Sequence, residues 1–351
     1  MVMRFGIIGC GRIAPRHADS LMEIPGTELV QVCDVIENRA RYFAEKYGVK
    51  YCLDYHELLA NPEIDIINIC TPSGLHASMA VDALKAGKHV IVEKPMAMSV
   101  ADADWMISTA KEMNRKLCIV LQNRYNPPMQ DFYHAVHDGK IGRVLLGSVT
   151  VRWYRPQEYY NDGWHGTKAM DGGALMNQSI HHVDALQWLM GIPVESVFAY
   201  TATLAHQIEA EDVGVVTVRF TNGALATIEG STVTYPQNLE ASVSLFGEKG
   251  SLKVGGTALN RKIFWKIEGE LEHEKELLTR EEIDPPSVYG ASHRHVIEDM
   301  IHAVTAGREP QTNGHEGRKS LLLVTAMYES ARAGRMISIN EWEASLGKSK
   351  Y

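Results

Sequence analysis

The stretch Met3-Arg4-Phe5-Gly6-Ile7-Ile8-Gly9-Cys10-Gly11-Arg12-Ile13-Ala14 decides the reading of the fold. An apolar run of strand length ends in a Gly9-x-Gly11-x-x-Ala14 pattern that opens a helix, the setting in which those glycines have a mechanism. Gly9 permits a tight turn, Gly11 lets the backbone approach a pyrophosphate, and Ala14 allows close packing of helix on strand, while the helix N-terminus stabilises negative charge. Asp34 closes the next strand about 20 residues on, where a carboxylate can accept hydrogen bonds from both hydroxyls of an adenosine ribose. This favours NAD over NADP, whose 2′-phosphate would face that anion; Arg39 is the neighbour that would accommodate it.

Outward from this point, short Val/Ile-rich runs alternate with amphipathic stretches, as in β-α units that build a parallel sheet. Strands are predicted at Met3–Gly9, Glu28–Asp34, Ile64–Thr71, His89–Glu93 and Lys116–Leu121, and helices at Ala14–Glu23, Glu37–Tyr47, Leu75–Ala86 and Ala101–Asn114. From about Val144 the pattern becomes the alternation of half-buried strands, with a hairpin at Thr221-Asn222-Gly223 whose Asn-Gly pair supplies positive φ angles. Helical periodicity returns at His293–Ala306 and Lys319–Ala333. The predicted class is α/β: a dinucleotide-binding Rossmann domain, a doubly wound parallel sheet, over residues 1–122. An α+β domain with a large open, mostly antiparallel sheet, for substrate binding and oligomerisation, follows over 123–351.

Composition agrees with this reading. A chain of 351 residues suits about two domains. With 35 Lys and Arg against 43 Asp and Glu the net charge is −8, the wrong sign for a protein that neutralises nucleic-acid phosphates. Hydrophobic residues at 45% and charged residues at 22% exclude a disordered chain. No run reaches the roughly 20 apolar residues of a membrane helix, and Met1-Val2-Met3-Arg4 leads straight into the first strand, so a cytoplasmic protein is expected. Cys10, Cys33, Cys52, Cys70 and Cys118 are odd in number and lack a C-x-x-C pair, which predicts reduced thiols.

Cys70-Thr71-Pro72-Ser73-Gly74-Leu75-His76 and Glu93-Lys94-Pro95, taken with the glycine-rich turn, resemble the family of glucose-fructose oxidoreductase and inositol dehydrogenase. The resemblance spans essentially the whole chain. It implies a dinucleotide cofactor site built from Gly9, Gly11, Arg12, Ile13, Asp34, Thr71, Pro72, His76, Glu93, Lys94 and Gln122, with Lys94 beside both nicotinamide and substrate. The run from Asp171-Gly172-Gly173 to His181-His182-Val183-Asp184 resembles the family's second signature, a Gly-Gly turn leading into a helix with a catalytic His. On one helix Asn177, His181 and Asp184 would fall at i, i+4 and i+7 and share a face, with Ile180, Val183 and Leu186 as the neighbouring apolar stripe. Lys94, His181 and Asn177 are the catalytic candidates, and either Lys94 or His181 can take the proton of a hydroxyl. The family often has Asp where this chain has Asn177, so the acid that would orient the His is missing from that position. His182 reads as a core residue, and no metal is expected, because adjacent helical residues point about 100° apart.

Further segments, among them Gln122–Pro127, Trp153–Tyr160, Gly163-Trp164, Thr234–Glu240 and Ser287–Gly290, resemble one branch of that family, the UDP-N-acetylglucosaminuronate 3-dehydrogenases. The branch implies oxidation of a sugar 3-hydroxyl to a ketone for bacterial surface polysaccharide precursors, with 2-oxoglutarate as a possible hydride acceptor. Arg124, Arg155, Asn126 and Asn238 suit a diphosphate and a carboxylate, while Tyr159, Trp164 and Tyr289 offer flat surfaces to sugar or uracil. A dehydrogenase of a free sugar or inositol, an NAD-dependent glycoside hydrolase and a non-catalytic NAD-binding sensor are the alternatives. An open sheet face predicts a homo-oligomer, dimer or tetramer.

Overall fold

Apolar runs without polar alternation mark strands buried on both faces, and the first part of the chain is built from them. In the computed structural model, which describes residues 2–270 and 292–346, strands β1 (Met3–Ile8), β2 (Thr27–Cys33), β3 (Lys50–Cys52), β4 (Ile66–Ile69), β5 (His89–Val92) and β6 (Leu117–Ile119) pair in parallel in the order β3-β2-β1-β4-β5-β6. Helices α1 (Ala14–Glu23), α2 (Glu37–Tyr47), α3 (Tyr55–Leu59), α4 (His76–Lys85) and α5 (Val100–Glu112) alternate with them. All four residues of β4 are buried. Strand order reverses between β1 and β4, and the carboxyl ends of the strands at such a switch point are where open α/β sheets bind ligands. The short β3 is not among the predicted strands: it has three residues, two of them exposed.

The second part pairs β7 (Val144–Arg152), β8 (Val194–Ala202), β9 (Val213–Phe220), β10 (Leu225–Ser231), β11 (Glu240–Gly247), β12 (Gly250–Gly255), β13 (Arg261–Ile267) and β14 (Ile337–Ser338) in the order β13-β12-β11-β7-β10-β9-β8-β14. All neighbours are antiparallel except β7 and β10. One face carries Val149, Val151, Val216, Val218, Phe220, Ile228, Val243 and Leu245, all buried, with α7 (Ile180–Met190) against β7 and β11. α6 (Pro127–His137) packs on α7 and β12. The hairpin between β9 and β10 differs from expectation: only Gly223 takes a positive φ, +87°, while Asn222 Oδ1 accepts from Ala224 N at 3.0 Å. A short side-chain acceptor thus does what a second left-handed residue would have done.

Two compact units result, Met1–Gln122 with Ala291–Arg318, and Asn123–Gly290 with Lys319–Tyr351. The first unit therefore includes a late segment that a single linear boundary does not contain. There α8 (His293–Ala306) packs on α1, and Ile119 N donates to Thr312 O at 2.7 Å, so the returning chain covers the β6 edge. The division falls within α9 (Gly314–Ala333), which precedes β14 and α10 (Ile339–Leu346). All five cysteines are free and four are buried. Among the described residues, no helix is long and apolar enough to cross a membrane.

Candidate functional site

In the first unit the chain leaves β1 through Gly9 at φ +95°, where a Cβ would lie 2.7 Å from Cys70 O at the end of β4. Only glycine fits that approach. At Gly11 a Cβ would meet nothing within 4 Å, so its backbone faces open space. Ile13 is the N-cap residue of α1 and Arg12 is exposed beside it. Asp34 Oδ2 accepts from Cys10 N at 2.9 Å and Oδ1 from Ile36 N at 2.8 Å. The carboxylate is thereby fixed against the glycine-rich turn, and each oxygen retains acceptor capacity for a ribose hydroxyl. These residues fit a dinucleotide.

The loops after β4 and β5 are tied together by His76, which is fully buried, with Nδ1 2.7 Å from Pro95 O and Nε2 3.0 Å from Thr71 O. Pro72 precedes the short 3-10 turn Ser73–Leu75. Both ring nitrogens thus lie against loop carbonyls, and His76 joins the two loops expected to meet the cofactor. The Glu93 side chain is likewise engaged within the unit. Its Oε1 lies 3.0 Å from His17 Nε2 and 3.4 Å from His293 Nε2, and its Oε2 accepts from Lys94 N at 3.2 Å. Burial would raise this carboxyl, but hydrogen bonds from His17 and His293 outweigh it and hold the group well below the usual carboxylate range. Glu93 therefore supports the backbone of Lys94, itself half-buried. The ligating atoms of His17, Glu93 and His293 lie within 4.8 Å of one another, the chemistry of a metal site. Asn68 Nδ2 lies 3.0 Å from His17 Nδ1, and where the amide donates there the His17 proton sits on Nε2, facing Glu93. Gln122 is buried at the end of this unit's first segment.

In the second unit Asn177 and His181 are not on one helix. Ala174–Gln178 form a π-helical turn, and α7 begins only at Ile180, after Ser179. The i, i+4, i+7 face is thus corrected to an i, i+3 relation of His181 and Asp184 on α7. Such π turns recur at functional sites. Asn177 Nδ2 donates to Asp171 Oδ1, whose other oxygen accepts from Gly166 N at 2.7 Å. A carboxylate is therefore present beside position 177, supplied six residues earlier. His181 is half-buried, while His182 is buried against Trp153.

Arg124 carries a buried charge. It is 6% exposed and meets Asp184 in a bidentate pair, Nε to Oδ2 at 2.8 Å and Nη2 to Oδ1 at 2.7 Å, with Ser320 Oγ donating to the same carboxylate. Asn126, buried too, donates to Ala258 O at 2.6 Å. These side chains, expected at the substrate, hold the segment after Gln122 to α7 and to the β12–β13 loop. Arg155 is different. Its guanidinium stacks between Trp153 and Tyr159, and donates to Tyr154 O, Asn238 Oδ1 and Gln178 Oε1 at 2.7 to 3.1 Å. Gln178 in turn donates to Tyr159 Oη. Arg155, Tyr159 and Asn238 thus form one cluster running into the π turn. Trp164 stacks on His165, which also touches Tyr159. Tyr289 lies outside the described residues.

Two family models match the chain, one after the other. Residues 3–121 match the oxidoreductase family, NAD-binding Rossmann fold, and residues 134–339 match the oxidoreductase family, C-terminal alpha/beta domain, of the glucose-fructose oxidoreductase and inositol dehydrogenase group. The chain belongs to this family. It is 30% identical to a myo-inositol 2-dehydrogenase of Thermotoga maritima over 97% of this chain and 99% of that one. Two solved structures, the WlbA dehydrogenases of Bordetella pertussis and Chromobacterium violaceum, each in complex with NADH and UDP-GlcNAcA, are 41% identical with TM-scores of 0.90 and 0.88. The match covers 96% of this chain in both cases, and 97% and 96% of those chains. The cofactor is NAD, and the protein is an NAD-dependent oxidoreductase.

Sequence reasoning missed Asp171 as the partner of Asn177, and His17 and His293 as the partners of Glu93. Asp171 opens the quoted Gly-Gly motif and was available as a signal; His293 lies 200 residues from Glu93 and had none.

Two outcomes follow. Arg124→Ala should cost about 3–5 kcal/mol in chemical denaturation, because it strands a buried carboxylate; a substrate-facing Arg would instead leave stability alone and raise KM. Asp34→Ala should weaken NAD binding by about tenfold and narrow the preference over NADP, measured by fluorescence titration with both cofactors.

Proposed function

We propose that the protein oxidises the 3-hydroxyl of a UDP-N-acetylated uronic acid to a 3-keto group with NAD. The observation that carries this reading is Arg155. Its guanidinium is half-buried, is held by three neutral oxygens and has no carboxylate partner among the described residues. A cation withdrawn from water without a counter-charge is costly, and a planar anion from the ligand would supply one in the bidentate geometry that Arg favours. The uronate carboxylate has that shape and charge, and the likeness to two dehydrogenases crystallised with UDP-GlcNAcA supports it.

Bound NAD accepts the hydride and supplies the redox chemistry. The side chains of this protein do the rest. Asn177, anchored by Asp171, orients a sugar hydroxyl, and Lys94 or His181 takes the hydroxyl proton. Tyr159 and Trp164 give the sugar or uracil a flat surface, and Asn238 holds Arg155 in place. NADH is reoxidised by a 2-oxo acid such as 2-oxoglutarate, which becomes the 2-hydroxy acid. The product enters synthesis of bacterial surface polysaccharide precursors in the cytoplasm, which holds nucleotide sugars and NAD. A homo-oligomer forms on the outer sheet face, where Leu146, Tyr200, Val215 and Leu225 are exposed. A second reading, oxidation of a free cyclitol or sugar, is favoured by the 30% identity to myo-inositol 2-dehydrogenase.

Purified enzyme incubated with NAD, 2-oxoglutarate and, separately, UDP-N-acetylglucosaminuronate, UDP-N-acetylglucosamine, myo-inositol or glucose should yield a 3-keto product from the uronate alone. Arg155→Ala should raise KM for the uronate by about 10- to 100-fold, the value of a charge-assisted contact, with little change in kcat. Oxidation of myo-inositol instead would select the second reading.

A further inference from the structure

The π turn that presents Asn177 begins without a cap of its own. Gly173 precedes it in extended conformation and has no side chain to accept the first amides of the turn. Such amides have no partner within the turn and must find one elsewhere. They find it on two residues remote in sequence. Ala174 N donates to Glu211 O at 2.9 Å, Leu175 N donates to Glu211 Oε1 at 2.8 Å, and Met176 N donates to Tyr328 Oη at 3.2 Å. Tyr328 Oη in turn donates to Glu211 Oε1 at 2.9 Å. Three consecutive amides are thus held by one buried carboxylate residue and one half-buried phenol. The glycine is a condition of this arrangement: a Cβ at position 173 would stand 2.1 Å from Glu211 Oε2.

We propose that Glu211 and Tyr328 are positioning residues that act through the π turn, fixing Asn177 and the start of α7 with His181 for the redox reaction. The proposal rests on the reading that Asn177 and His181 meet the substrate. Neither Glu211 nor Tyr328 touches the reacting atoms in this scheme; they set where Asn177 stands. A rigid turn matters because a small misplacement of an orienting group is felt mainly in the rate.

The pair also links this turn to pH. Burial pushes the Glu211 carboxyl up to about 7, against the pull of Leu175 N–H and Tyr328 O–H, with Asp212 adding repulsion. Asp212 from its own segment and Tyr328 from α9 are the titratable groups facing it, and Asp212 is itself occupied by His206 and three loop amides. The folded state therefore holds a proton between the ordinary carboxylate range and about 7 that the unfolded chain has released, so stability falls as pH rises through that window. The ionised form is also the better acceptor for amides at the start of a helical turn, so the turn is firmest above about pH 7.

Three variants of the full-length enzyme test this: Tyr328→Phe, Glu211→Leu and Glu211→Gln. In amide exchange, which needs no substrate, the first two should speed exchange at Ala174–Met176 by about tenfold, the equivalent of one hydrogen bond. Glu211→Gln keeps an acceptor at Oε1 and should protect the turn like wild type, but without wild type's change between pH 6 and 8. With NAD and UDP-N-acetylglucosaminuronate, kcat should fall about tenfold in Tyr328→Phe and Glu211→Leu, with KM for NAD unchanged, and recover in Glu211→Gln. Unchanged exchange in Tyr328→Phe and Glu211→Leu overturns the proposal, as does faster exchange with kcat intact. If wild type leaves the uronate untouched but oxidises another sugar or cyclitol, the substrate reading fails and the same kcat comparison is made with that compound.

Discussion

The pairing of Arg124 with Asp184 shows the constraint that orders the second unit: a charge removed from water has to be met by an opposite charge or by several hydrogen bonds. Arg124, Asp184 and Ser320 satisfy it together, and in doing so bind the segment after Gln122 and helix α9 to α7. His181 therefore stands on a helix fixed from two sides. Glu93 meets the same constraint in the first unit through His17, His293 and the Lys94 amide. Applied across the candidate site, the rule sets Arg155 apart from Arg124 and Glu93. Arg155 is left with aromatic faces and neutral oxygens.

Close approach is the second constraint, and it explains glycines in both units. Gly9 lets β1 end against Cys70, which leaves the turn beside Asp34 and the start of α1 open. Gly173 lets the Glu211 carboxylate reach the amides of the π turn. In each case the absent side chain makes room for a backbone or carboxylate that determines where a functional group stands.

These constraints also show what was legible in the sequence. Local, periodic features were: the β-α alternation, the Gly9–Ala14 turn with Asp34, the α8 span His293–Ala306 and the half-buried strands around Val149 and Val218. Features set by distant partners were not. Arg124 looks like any surface Arg until Asp184, sixty residues on, is seen to meet it. The periodicity of Asn177, His181 and Asp184 is that of an α-helix, yet hydrogen bonds to Glu211 and Tyr328 draw its beginning into a π turn. Nor could three residues at Lys50–Cys52 announce a strand, since it is completed only by its parallel pairing with β2.

Asn177 shows how the two levels meet. Where the resembling family often carries Asp, this chain has an amide, and the missing acid is not lost: Asp171 supplies it and accepts from Asn177 Nδ2. Two carboxylates at that separation could not both ionise, because each would raise the other and one would hold a proton. With Asn at 177, Asp171 accepts from both Gly166 N and the amide. The amide transmits that anchoring without adding charge, so its carbonyl oxygen remains a neutral acceptor. In this chain the carboxylate stands at position 171 and the amide at 177, both buried and joined by one hydrogen bond.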